Sequence, residues 1–182
     1  MYLYHYFDKS KGPLLSLSAL PLEEAVAIQS KLVSENKTFA AQRNDGYLLR
    51  RQELERVVHK LFIEKGGKPE KETPHYFVIG ECPWLETWYE QADYIRIPIN
   101  EFDLQTVSFT YGDTFPTFSP SVTDGMEYRN TVYTYKGILE MIEKYGKPQD
   151  KWDQPVFAQP CYVEAQVWSD EPVLRYRKDY NV

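Results

Sequence analysis

Between His75 and Phe115 the chain reads HYFVIGECPWLETWYEQADYIRIPINEFDLQTVSFTYGDTF, and this block does most to limit the folds open to it. Three short runs rich in β-branched and aromatic residues, His75–Ile79, Tyr94–Ile99 and Thr106–Tyr111, read as strands parted by polar links. Parallel βαβ units would need a helix in each link, so the spacing predicts mainly antiparallel pairing. Pro83 suits the first turn of a short helix through Tyr89. Pro98 cannot donate to a ladder, which puts the run YIRIPI at an edge or a bulge. The block ends on Thr110-Tyr111-Gly112-Asp113-Thr114, a polar, glycine-hinged exit from a strand, where sites commonly lie.

The flanks supply more strands and the helices. Tyr2–Phe7 alternates tyrosines with Leu3, His5 and Phe7, a period of two that predicts a strand. Cys161–Trp168 alternates too, with Val163, Ala165 and Val167 on one face and Tyr162, Glu164, Gln166 and Trp168 on the other. Ser18 as cap, with Glu23 and Glu24 in the first turn, predicts a helix over Leu22–Ser34, with Ala25, Ile28 and Leu32 at helical spacing. A second helix over Tyr47–Lys65 has Leu54, Val57, Val58, Leu61 and Phe62 at helical spacing. That reading leaves Arg50, Arg51, Glu53, Glu55, Arg56 and Lys60 to solvent, with Gly66-Gly67 as the stop. Thr131–Thr134 reads as a short strand, and Thr134 then caps a helix that buries Ile138, Met141, Ile142 and Tyr145 and ends at Gly146. Loops over Pro116–Asn130 and Lys147–Pro160, and a charged tail lying loosely after Asp170, complete the chain. The expected architecture is one α+β domain over residues 1–182, with a mixed, mostly antiparallel sheet and about three helices.

Net charge narrows the partners. A formal charge of -6 opposes a main role in binding nucleic acid, whose phosphates call for a basic surplus. Cys82 and Cys161 form no Cys-x-x-Cys and have no histidine at zinc-ligand spacing, so no metal is expected and both read as reduced thiols. The N-terminus lacks the pattern of a signal peptide and no apolar run is long enough to span a bilayer, so the expected setting is cytoplasmic, without a membrane partner. The fifteen tyrosines fit either a ring-faced sheet or a ring-lined cleft.

Few residues stand out for chemistry. His5 lies mid-strand between Leu3 and Phe7, either as a satisfied structural group or at the edge of a cleft. His59 reads as a surface residue, and His75 resembles His5 in setting. Glu164 lies mid-strand, where a carboxylate faces solvent or is held by partners, because burying it unpaired is costly. Asp113 suits a turn, or the second member of a carboxylate pair with Glu164. Phosphate-loop, dinucleotide, serine-hydrolase and zinc-protease signatures are all absent.

The order of these pieces resembles the ADP-ribosyltransferase-like superfamily, in the branch whose sheet carries His, Tyr and Glu. Leu3-Tyr4-His5-Tyr6-Phe7 is similar to its first element, Tyr162-Val163-Glu164-Ala165-Gln166-Val167 to its last, and Ser108-Phe109-Thr110-Tyr111-Gly112-Asp113 to a polar strand end in some toxin-like members. The resemblance implies a nucleotide or another small molecule as partner, with NAD as substrate and transfer of ADP-ribose to an acceptor that it does not identify. It implies that His5, Tyr76 and Tyr111 bind NAD, with Tyr47 the alternative to Tyr76, and that Glu164 is catalytic, stabilising an oxocarbenium-like centre as nicotinamide leaves. Two other readings stay open: a hydrolase using Glu164 with Asp113, and a non-enzymatic binding module with an aromatic patch of Trp84, Trp88, Phe115 and Phe118.

Overall fold

The computed structural model describes residues 1–151 and 159–178. Alternating segments form a five-stranded sheet of β1 (Tyr2–Asp8), β2 (His75–Ile79), β3 (Ala92–Pro98), β4 (Val107–Tyr111) and β5 (Val163–Val167), in the order β3-β1-β2-β5-β4. Every pairing is antiparallel, with Tyr4 opposite Val78, Val78 opposite Glu164, and Glu164 opposite Thr110. Pro98 ends an edge strand, where a missing N–H costs no ladder bond. The helices among the described residues are α1 (Leu22–Glu35), α2 (Tyr47–Glu64), the single turns α3 (Pro83–Glu86) and α4 (Thr114–Thr117), α5 (Tyr135–Tyr145) and α6 (Val173–Lys178). This is the α+β architecture that the periodicities predict.

Strand alternation gives the sheet two unlike faces. On one, Leu3, Phe77, Ile79, Val107, Phe109, Val163, Ala165 and Val167 pack against Ile138 and Met141 of α5. Thr134 caps that helix by accepting from the Gly137 N–H, and Gly146 ends it with a positive φ of 75°, as the sequence predicts. The other face carries two separate apolar clusters. Tyr4, Tyr6, Val78 and Tyr162 meet Leu85 of α3, while Trp168 meets Leu54, Val58 and Phe62 of α2. Between them runs a buried polar stripe of Ser108, Thr110, Glu164 and Gln166.

Several expectations are corrected. Val57 is 42% exposed and Glu55 only 3%, because the inward arc of α2 runs through Arg51, Leu54, Glu55, Val58 and Phe62 at i, i+3, i+4, i+7 and i+11. Two charged residues on that arc turn it away from Val57. Ser18 does not cap α1; Pro21 holds that position, and the Ser18 hydroxyl donates to Glu55 instead. The expected strand at Thr131–Thr134 is a single bridge between Phe109 and Tyr133. His59 is half-buried, edge-on to the Trp168 ring. After Asp170 the chain forms α6, with Val173 buried in the core. Residues 152–158 of the expected Lys147–Pro160 loop and 179–182 of the tail lie outside the described residues.

Candidate functional site

The polar stripe converges on Glu164, only 4% exposed. Its Oε1 accepts from Thr114 Oγ1 on α4 and, at 3.0 Å, from Gln166 Nε2. Gln166 Nε2 also reaches Thr110 Oγ1 at 3.1 Å, while its Oε1 accepts from Ser108 Oγ at 2.7 Å. The Ser108 hydroxyl in turn accepts from the Trp168 indole at 2.8 Å. The chain of bonds joins β4 to β5 and gives each of these side chains at least one partner in a place with little access to solvent.

A second layer comes from α2. Glu55 Oε1 accepts from Ser18 Oγ at 2.7 Å, Tyr76 OH at 2.8 Å and Arg51 Nε at 3.2 Å. The Arg51 guanidinium lies 3.6 Å from the Tyr76 ring centroid and 5.7 Å from that of Phe115, a cation held by a carboxylate and two rings. Asp113 caps the α4 turn through the Phe115 N–H at 2.7 Å and accepts from Tyr162 OH at 2.6 Å with its other oxygen. Gly112 makes this turn possible. Its φ is +119°, and an added Cβ would lie 3.3 Å from the Pro160 Cα. Behind it the buried Thr117 hydroxyl has no hydrogen-bond partner among the described residues.

Electrostatics single out Glu164. Burial first, then the negative charge of Asp113, pushes its carboxyl up to about 7, against the opposing pull of Arg51, Thr114 and Gln166. Burial likewise drives the Tyr76 hydroxyl well above its ordinary value, and the same holds for Tyr162. A carboxyl near 7 can both release and accept a proton at neutral pH.

The expected NAD-binding set divides. Tyr76 and Glu164 share this face; Tyr76 donates to Glu55 and stacks under Arg51, whose charge also acts on Glu164. His5 and Tyr111 lie on the opposite face, because each is out of phase with Glu164 in the antiparallel register. The His5 ring is occupied by backbone: Nε2 accepts from the Leu14 N–H at 2.9 Å, so Nδ1 carries the proton and donates to Tyr76 O at 2.8 Å. Burial lowers its pKa to about 4, leaving a neutral structural histidine. Tyr111 OH donates to Gly146 O at 2.7 Å, and its ring packs against Tyr128 and Tyr145. His75 is bonded to Lys71 and Asp170, away from both groups. The proposed aromatic patch divides as well: Trp84 and Trp88 pack with the tyrosine cluster, Phe115 and Phe118 with the α2 cluster.

Sequence reasoning missed Arg51, Glu55 and Thr114. The signal for the first two was present, since both fall in phase with Leu54, Val58 and Phe62. Among the described residues no helix is long and apolar enough to cross a membrane, and no group of three or more His, Cys, Asp or Glu side chains is placed to hold a metal ion. Comparison with protein-family models, curated proteins and solved structures finds no match to this chain.

Proposed function

We propose that the chain is an ADP-ribosyltransferase-like enzyme that opens the nicotinamide glycosidic bond of NAD beside Glu164. The observation that carries this reading is a buried carboxyl, poised near neutrality, on a polar sheet face beside Tyr76 and Arg51. The C1′–N bond breaks with its electron pair passing to the nicotinamide nitrogen. The positive charge that grows on the ribose is stabilised by ionised Glu164, an interaction strongest in the transition state. An acceptor nucleophile then bonds to C1′, and its proton passes to the carboxylate. His5 takes no part; Arg51 is the donor beside the carboxylate, and Tyr76 offers a ring and a hydroxyl.

The influence of Asp113 on Glu164 favours a second reading, a carboxylate-pair hydrolase in which water is the acceptor. One experiment separates the two. NAD is titrated into the protein by calorimetry, and nicotinamide release is followed with and without added protein acceptors. Release that yields free ADP-ribose regardless of acceptor favours the hydrolase, and release coupled to acceptor labelling favours the transferase. Glu164→Gln keeps the shape and the two accepted hydrogen bonds but cannot ionise, so it should abolish release. No NAD binding at about 1 mM would leave a non-enzymatic binding module as the better reading.

A further inference from the structure

Beside the Glu164 layer lies a cavity of about 490 Å³, lined among others by Arg43, Asn44, Tyr47, Arg50 and Phe115. Its size falls in the range of small-molecule sites. The Tyr47 and Phe115 rings stack nearly parallel, 4° apart with centroids at 5.0 Å. Arg43 lies 4.2 Å from the Tyr47 ring centroid and has no ion-pair partner among the described residues. Arg50 is steadied by Phe118 O at 3.1 Å and shares its other amino group with the exposed Glu53 at 3.2 Å.

The N-terminus of α2 opens on the same place. Gly46 supplies no side-chain cap and the first turn holds no acidic residue, although anionic groups are favoured there. Two guanidiniums, an uncapped helix start and a flat ring pair thus meet at one cavity in a chain of net charge -6. Guanidiniums fork onto phosphate oxygens, helix starts attract anions, and stacked rings accept a planar base.

We propose that this cavity binds the phosphate-and-base end of a nucleotide, with Arg43 and Arg50 on the phosphates and the Tyr47–Phe115 pair against the base. The proposal rests on the reading of Glu164 for the identity of the whole substrate. Phe115 borders the cavity and faces Arg51, so a nucleotide seated here lies one ring away from the Glu164 layer.

The test is calorimetric titration of the full chain with ADP, adenosine and inorganic phosphate. ADP should bind at least tenfold more tightly than adenosine, and its affinity should fall as ionic strength rises. Arg43→Gln and Arg50→Gln should each weaken ADP about tenfold, the scale of one lost charge-assisted contact. Arg56→Gln, on the exposed side of α2, should leave it unchanged. Absence of ADP binding, equal affinity for ADP and adenosine, or wild-type affinity in both cavity variants would overturn the proposal. ADP carries no nicotinamide, so these outcomes are independent of whether NAD is cleaved at Glu164.

Discussion

Glu164 owes its chemistry to its surroundings. Thr114 and Gln166 supply hydrogen bonds that favour its ionised form, yet burial and Asp113 outweigh them. The result is a carboxyl whose proton is retained in the folded state from the ordinary 4.5 up to about 7. Between those values the unfolded chain binds fewer protons than the folded one, so this group makes stability fall as pH rises. Above about 7 the loss is complete. Glu164→Gln, whose amide oxygen can still accept from Thr114 and Gln166, should therefore raise the denaturation midpoint at pH 8 and leave it near wild type at pH 5. An equal offset at both pH values would mean that the carboxyl titrates normally.

At the scale of elements, α2 decides what the site contains. Its inward arc carries three apolar and two charged residues: Leu54, Val58 and Phe62 pack on Trp168, while Arg51 and Glu55 bond to each other and engage Tyr76 beside the polar stripe. Phe62→Ala should cost about 3–5 kcal/mol, the range for emptying a buried aromatic site. Val57→Ala, at an exposed position, should stay within about 0.5 kcal/mol. Urea denaturation of the two variants checks the orientation of the helix, and comparable losses would put Val57 back in the core. The strands and long helices were legible because burial imposes period two or 3.6 on the sequence, and β2 matches its expected bounds residue for residue. The phase of Arg51 and Glu55 was legible but their burial was not, because a charged residue in phase with a core stripe looks solvated until its partner is known. That partner, Tyr76 on a distant strand, is set by tertiary packing rather than local pattern. His5 as a satisfied structural histidine was one of two readings of its own setting, and only the resemblance implied a role in binding NAD. What the sequence could not name is what satisfies it, because only the fold brings the Leu14 N–H and the Tyr76 carbonyl to its two nitrogens.

For the whole molecule, the sheet is a partition with a titrating group on each side. His5 is neutral in the fold and its pKa falls from 6.5 to about 4, so its contribution to stability is complete above 6.5 and is lost as pH falls toward 4. Glu164 acts in the opposite sense across nearly the same window. In the wild type the two slopes offset each other between about 4.5 and 6.5, and stability there should depend little on either group. Glu164→Gln should expose the histidine slope, with stability dropping toward acid. His5→Gln should expose the carboxyl slope, with stability dropping toward neutrality, on top of a cost of about 1–3 kcal/mol for a poorly replaced buried hydrogen bond. The two residues stand two strands apart, about 10 Å, and point to opposite faces. Their effects should therefore add to within about 0.5 kcal/mol at each pH, and the double variant should keep only the slope of the remaining groups, among them His75, whose pKa burial also lowers. Urea midpoints of the four proteins from pH 4.5 to 8 test this. A coupling of 1 kcal/mol or more would require His5 and Glu164 to share an environment, and the separation of the two faces would then be wrong.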